Sequence, residues 1–408
     1  MRRNLAYVIF GLAVVLASSG LRAAPVINTD ILELHYRGEI RALGGLAHLP
    51  NDRRRGWAEG SPEVDALAYG QLRLQAWGQA TRFVAFELSY LNEMDLSPGS
   101  AYWAGTPAQM FQAGDRFLGM SWTAYSGEEA LWRHGFERLN LTLKVPIGYG
   151  ARLSLGRMGH TWGFGKLWNP ADRIFPQRPV ELYRHFEPGA DLVRLAISLA
   201  PRSFVDVIVA PAREVDDVLA LGRFEWGFEK VDIAATGGLD HREILSLLAV
   251  RADLNAVELY AEGGYVHALD DDDYGTAVLG LTAALPLGFV GTFEFCYNGS
   301  GTSDSDEYVP LWASSDWQSG RRVHVGRWYG GMILAVKPLA WLGLEARAVV
   351  NIDDMSAQFF LKAQFEVSRN ASIGLLGTVG VGEVGNGRPK SEYGVAPYTY
   401  LMDLRLHF

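Results

Sequence analysis

The chain has 408 residues, 49% of them hydrophobic and 12% aromatic, with 46 glycines, one cysteine and a formal charge of −9. That acidic balance argues against a nucleic-acid partner, which calls for clustered Lys and Arg. The lone Cys296 excludes an internal disulfide, so stability has to come from a closed sheet or a large core.

Arg2 and Arg3, the uncharged apolar run 5–17 and the small residues up to Ala23 and Ala24 read as a secretory signal over 1–24. The run is shorter than the about 20 apolar residues of a spanning helix, and no cysteine lies near the boundary to carry a lipid. No second long apolar segment follows, which excludes a helical membrane protein and leaves 25–408 as one domain. From there period-two alternation predicts strands over 32–41, 69–77, 82–91, 138–146, 151–158, 191–199, 204–210, 221–226 and 229–235. It continues over 243–251, 257–267, 277–284, 289–298, 326–336, 342–351, 358–367, 371–381 and 398–408. The series is an even one of about 18 strands, or about 16 if one hairpin is misread.

The links between these strands alternate in length. Tight ones at 78–81, 146–149, 200–203, 227–228, 253–255, 286–288, 337–340 and 368–370 are rich in Gly, Pro, Asn and Asp, as tight turns require. Between them fall long links at 43–65, 92–135, 159–190, 268–274, 299–325 and 382–395. Short turns at one rim and long loops at the other are the anatomy of a transmembrane antiparallel β-barrel, with the short turns periplasmic and the long loops extracellular. The acidic run Asp270 to Asp273 falls in a long link; four consecutive acids cannot converge on one cation, and a solvated turn is the favoured reading.

Charge falls on one register of each strand. Arg37, Arg73, Lys144, Arg194, Glu258, Glu262, Arg347 and Lys362 alternate with apolar neighbours and are expected to face an aqueous lumen, because a charge at mid-bilayer costs about 2–4 kcal/mol. Further lumen charges of both signs, including Asp206, Glu294 and Asp403, give no selectivity from sign alone. Cys296 alternates with Phe295 and Tyr297 and should also face inward, as an inert wall residue.

One segment breaks the strand pattern. Trp162-Gly163-Phe164-Gly165-Lys166-Leu167-Trp168-Asn169-Pro170-Ala171-Asp172 leads through Arg173, Arg178, Arg184 and His185 to Gly189-Ala190-Asp191 and the next strand. This string resembles a stretch of porin-like outer-membrane barrels, a set that includes the alginate-export-like barrels; no alginate-specific residue set is matched. Its glycines permit sharp turns and close approach, its tryptophans offer packing surface or sugar-stacking faces, and its basic residues add donors. By analogy with general porins this third long loop folds inward, so Trp162, Lys166, Trp168, Asp172, Arg173, Arg178, Arg184 and His185 are candidates for a constriction. No pair among His160, Asp172, His185 and Asp191 has a metal-ligand spacing, and no Gly-x-Ser-x-Gly elbow is present.

The last predicted strand alternates Tyr398, Tyr400, Met402, Leu404, Leu406 and Phe408 with mostly polar residues. A terminal strand ending on an aromatic resembles the one by which Gram-negative barrels are recognised for assembly, which implies the barrel-assembly machinery as a partner. An even strand count brings it back to pair with the first strand. The expectation is therefore a porin-like channel in contact with outer-membrane lipid, passing small polar solutes by passive diffusion and narrowed by 159–190. No cofactor, metal or catalytic residue is expected, and a homo-oligomer is compatible with it. The residues leave open a loop-plugged barrel acting as an enzyme or surface-binding protein, and, further off, a soluble secreted all-β binding protein.

Overall fold

The computed structural model describes residues 27–28, 33–50, 63–96, 117–127, 130–176, 179, 189–214, 217–318, 321–385 and 388–408. The signal expectation at 1–24, and Arg178, Arg184 and His185, lie outside them. Alternating sequence becomes strand throughout: β1 (Ile27–Asn28), β2 (Glu33–His48), β3 (Val64–Thr81), β4 (Val84–Asp95), β5 (Ser121–Ser126), β6 (Leu131–Val145) and β7 (Ala151–Met158). Then come β8 (Ala190–Ala200), β9 (Ser203–Ala210), β10 (Leu219–Gly227), β11 (Val231–Asp240), β12 (Glu243–Asp253), β13 (Val257–Ala268) and β14 (Tyr274–Ala284). The series ends with β15 (Val290–Asn298), β16 (Trp328–Leu339), β17 (Leu342–Asn351), β18 (Ser356–Ser368), β19 (Ala371–Val381) and β20 (Tyr398–His407).

All pairings are antiparallel, and β20 returns to β2 in register from Glu39↔His407 to His48↔Tyr398. Apart from β1 and β5, the described strands form a closed barrel of 18. Closure matters because it leaves no row of unpaired backbone groups at an edge. The seam is finished by Phe408, whose N–H donates to the Gly38 carbonyl at 2.9 Å while Gly38 N–H donates back at 2.7 Å. A Cβ at Gly38 would lie 2.2 Å from the Phe408 ring, so glycine makes room for the last side chain.

Two short strands patch the wall. β1 pairs with Glu33 and Leu34, below the point where β20 ends. β7 covers β6 only from Val145 to Leu139. Above it β5 takes over the same edge, from Ser121↔Gly135 to Ser126↔Leu131. Arg157 ties the two pieces together, donating to the Leu118 carbonyl at 2.6 Å and to Asp191 at 2.8 Å.

Each of the 18 predicted strands has its counterpart, 151–158, 342–351 and 371–381 with the same bounds. Several links are shorter than expected. β2 and β3 run on to His48 and from Val64, leaving 49–63 rather than 43–65, because Ala42 to Ala47 is small or apolar on both faces and breaks the alternation. Similarly, β4 reaches Asp95 and β6 begins at Leu131. The expected turn at 78–81 lies inside β3; the chain reverses at Arg82 and Phe83 instead. Gly78 serves a close approach, since a Cβ there would sit 1.9 Å from the Glu33 carbonyl oxygen. The alternation of link length is also looser than predicted: only His241 and Arg242 join β11 to β12 at the long-link rim.

The outer face is apolar. Leu139, Leu141 and Leu143 on β6, Leu248 and Val250 on β12, and Phe293 and Phe295 on β15 are exposed, as their alternation with inward residues dictates. Aromatic groups gather at two heights. Trp226 with Phe224 and Phe228, and Trp341 with Phe365, mark the short-turn end; Tyr90, Phe136 and Trp122, and Phe295, Tyr297 and Trp328, mark the other. Among the described residues no helix is long and apolar enough to cross a membrane.

Candidate functional site: the loop inside the lumen

After Met158 the chain turns into the barrel and doubles back on itself. Gly163 adopts φ +95°, and a Cβ there would lie 1.8 Å from the Asn169 side chain; one at Gly165 would lie 1.7 Å from the Trp168 carbonyl. Asn169 amide donates to the Trp162 carbonyl and pins the reversal. This tight fold turns a row of backbone N–H groups outward, and the wall answers with carboxylates. Glu294 on β15 accepts from Lys166, Leu167 and Trp168 N–H at 2.5, 3.0 and 3.0 Å, and from the Tyr260 hydroxyl at 2.5 Å. Glu262 on β13 accepts from Ala171 and Phe164 N–H at 2.7 and 3.2 Å. Hydrogen bonds to a charged acceptor are the stronger kind, and the five from loop N–H groups hold the loop across the lumen.

The candidate constriction residues separate into two roles. Trp162 is buried, its indole N–H donating to Asp206 at 3.1 Å and its ring meeting His160 edge-on at 4.9 Å. Trp168 is buried with Leu167 against Val278, Cys296, Tyr329 and Val349. Asp172 is buried and accepts from Phe175 N–H at 3.0 Å, shaping the turn. The Arg173 guanidinium bonds Asp240 and Glu243 on β11 and β12. Lys166 alone of the five keeps a side chain 41% exposed, with Nζ 3.4 Å from Glu258 and 5.7 Å from the Tyr260 ring.

The eight predicted lumen residues share the inward register. Arg37 stands at the short-turn mouth, 2.9 Å from His407. Arg73 is buried between Glu137 at 2.9 Å and Glu39 at 3.2 Å. Lys144 donates to Gln79 at 3.0 Å. Arg194 grips Asp206 with two nitrogens at 2.8 and 2.9 Å. Arg347 bonds Glu345 at 2.5 Å and reaches the Pro179 carbonyl at 3.5 Å, while Lys362 is the cross-strand partner of Glu345. Cys296 is inward and buried.

The expectation of a water-facing inner surface needs correction. Between the carboxylates that bond the loop, the inward face of β8 to β13 carries an apolar patch, with Leu192, Ile208, Leu219, Leu221, Leu245 and Leu247 clustered with Trp162, Ile174 and Phe175. The loop supplies the other half of this dry patch, which is why those inner positions are apolar. On the facing wall, β20 and β2 to β6, ion pairs run along the inner surface beside a cluster of Leu43, Leu67 and Tyr69: Arg41 with Asp403 at 2.8 Å, Arg73 with Glu137, and Arg133 with Glu93 at 2.9 Å.

Two cavities flank the loop. The one on the long-link side, about 470 Å³, is lined by Trp168, Arg173, Tyr274 and residues of the 315–324 segment. Below the loop a second, about 500 Å³, brings Arg138, Arg194, Arg223 and Arg251 together with His160 and Phe164. The Phe164 ring lies 4.7 Å from the Arg251 guanidinium and 5.2 Å from that of Arg223. Burial, then the neighbouring Arg194, pushes His160 down to about 4 and keeps it neutral.

The anchoring partners Asp240, Glu243 and Tyr260, and the loop-facing role of Glu262 and Glu294, were not legible as such in the sequence. A spare signal existed: Glu262 and Glu294 lie on the inward register without an adjacent cross-strand cation, opposite Val278 and Gly331 among their partners. The acidic run forms a turn, with Asp273 accepting from His267 at 2.7 Å and from Ala268 N–H at 3.1 Å, and Asp270 paired with Arg242. Among the described residues no group of three His, Cys, Asp or Glu is arranged to hold a metal ion.

No family model matches the chain, and no curated protein matches it in sequence. Among solved structures it is similar to OccAB4 of Acinetobacter baumannii, with a TM-score of 0.54 and 8% identity over 92% of this chain and 98% of that one. OccAB1 of the same organism gives 0.54 and 9% over 92% and 96%. OccD3 (OpdP) of Pseudomonas aeruginosa gives 0.54 and 9% over 97% of each chain. The likeness is one of fold, a porin-like β-barrel over 92–97% of this chain.

Proposed function

We propose that the chain forms an outer-membrane channel for passive diffusion of small polar solutes, its lumen narrowed by the loop 159–190. The observation that carries this reading is the loop itself, fastened inside a barrel whose outer face is apolar and girdled by aromatics. In this reading Trp162, Trp168, Asp172 and Arg173 brace the loop, and Lys166 with Glu258 faces the passage. Arg178, Arg184 and His185 belong to the same proposal as further lining groups. Kinship with the alginate-export-like barrels rests on the Trp162–Asp172 string alone, and no substrate follows from it. The strand ending at Phe408 is proposed to engage the assembly machinery.

Conductance in planar bilayers tests the channel. The wild type should give defined current steps. Replacing Glu262 and Glu294 together by Ala strands five loop N–H groups at about 1–3 kcal/mol each, so the loop should leave the wall and the steps should grow. A wild type silent at every voltage overturns the channel. That outcome would favour the loop-plugged barrel, for which the dry packing of Trp162, Ile174 and Phe175 speaks. A protein that stays in solution without detergent would remove the membrane setting altogether.

A further inference from the structure

Over β15 to β19 the long-link rim is covered by a cap. It is built from the short helix Tyr308–Ala313, the turn 352–355 and the described part of the link between β19 and β20. The cap is stitched by polar groups, most of them neutral. Tyr393 N–H donates to Ser356 Oγ at 3.2 Å, Gly394 N–H to Ser391 Oγ at 3.1 Å, and Ser391 Oγ to the Glu383 carbonyl at 2.7 Å. A Cβ at Gly394 would fall 2.3 Å from Ser391 Oγ, so the segment lies close against its support.

At the centre stand two carboxyls. Glu392 Oε2 accepts from the Tyr329 hydroxyl at 2.7 Å and from Asn351 Nδ2 at 2.9 Å. The same Asn351 nitrogen is 3.3 Å from Asp354 Oδ2, which also accepts the Glu392 N–H at 2.7 Å. The other groups facing this pair are Tyr308, 3.2 Å from Asn351, and the Tyr393 phenol, with His324 beyond Tyr329 at 5.0 Å between rings. Of the basic residues of these elements, Lys390 lies 3.6 Å from Asp306, Arg327 donates to the Gly301 carbonyl, Arg321 and Arg322 pair with Asp316, and Arg388 is exposed. Among the described residues neither Glu392 nor Asp354 makes an ion pair.

We propose that this cap is a proton-held lid, seated while Glu392 carries a proton and lifting once that proton is lost. Two half-buried carboxyls that share one amide donor and have no cation between them repel each other once Glu392 is charged. Burial pushes Glu392 up to about 8, against the hydrogen bonds from Tyr329 and Asn351 and with help from Asp354. Burial also raises the Tyr308 and Tyr393 phenols, so they stay neutral through the same range. The lid and the lumen loop meet in one buried cluster, in which Tyr393 joins Tyr329, Leu167 and Trp168. Lifting it would uncover the Trp168 side of the passage.

The direction follows from linkage. A lifted lid returns Glu392 to its ordinary value of 4.5. The seated state therefore binds the proton more tightly, and the seated-to-lifted ratio falls by up to about tenfold per pH unit between 4.5 and about 8, then stays level.

Hydrogen exchange on the full-length protein in detergent micelles, followed by mass spectrometry of peptides within 388–397, tests this between pH 5 and 9. After correction for intrinsic base catalysis, wild-type protection should fall along that course and flatten above about 8. Glu392→Gln, neutral at every pH, should keep its protection flat. Asp354→Asn should move the break to lower pH, and it stands in if Glu392→Gln fails to fold. Identical pH courses in wild type and Glu392→Gln, or no movement of the break in Asp354→Asn, overturn the lid. A conductance arm rests on the channel reading: current should rise over the same pH window in wild type only. Silent bilayers with the exchange course intact would remove the channel and leave the lid standing.

Discussion

A wall carboxylate that accepts three backbone N–H groups behaves unlike one that grips an arginine. Glu294 is a fixed acceptor for the loop, whereas Glu258 shares a partly exposed contact with Lys166 at 3.4 Å. Exposed pairs of that kind are worth about 0–1 kcal/mol. Lys166→Gln should therefore leave thermal stability within about 0.5 kcal/mol while shifting ion selectivity towards cations, and Glu258→Gln should shift it towards anions. Reversal potentials under a salt gradient read both; equal selectivity in the two variants would take Lys166 and Glu258 off the passage. Which of the two kinds a carboxylate is could not be read from the chain. Alternation placed Glu258, Glu262 and Glu294 on the inner face, but the partners of the last two are N–H groups exposed by the fold around Gly163 and Gly165, more than 90 residues away for Glu262.

At the scale of elements, short-range periodicity carried most of the fold. Strands such as β7 and β17 alternate cleanly and were legible to the residue, while β2 hid its upper half in Ala42 to Ala47. The inward loop was legible as an anomaly of composition, yet its effect on the opposite wall was not. The apolar inner positions of β9, β10 and β12 make sense only once Ile174 and Phe175 cover them. Gly331 on β16 shows the same dependence, since a Cβ there would come within 2.5 Å of Leu167 and 2.6 Å of the Trp168 ring. Gly331→Val should cost about 1–3 kcal/mol by overpacking and displace Trp168 from the wall. Increased quenching of tryptophan emission by an added water-soluble quencher, with larger conductance, would report that displacement. Unchanged quenching would mean that the strand yields instead.

For the whole molecule, the seam between β2 and β20 decides whether a barrel exists. Phe408 supplies the final pair of backbone bonds to Gly38 and fills the space that Gly38 leaves open. Removing Phe408 should lower the fraction of chain recovered from membranes as a heat-modifiable barrel on gels. Phe408→Ala, which keeps the backbone bonds, should cost about 1–2 kcal/mol, below the core range because the ring is only half-buried. Equal recovery of both variants and wild type would mean that the terminal residue has no part in assembly. The return of the last strand to the first was legible from an even series of strands, because closure is a property of count and parity. The patching of β7 by β5 was not, since Ser121 to Ser126 finds its place only against an edge that the shortened β7 leaves vacant.

That the described part of the loop bonds to β9, β11, β12, β13, β15 and β17 gives the cylinder a stiff side. Drawn out of a bilayer by its C-terminus, the chain would first surrender the hairpin of β20 and β19, with its ladder bonds and side-chain bonds such as that of Arg41 to Asp403. Resistance would then climb as the pull reached Glu294 and Glu262, where one tug must tear a strand and its strap together. The barrel would fail like a zip with a knot partway along it.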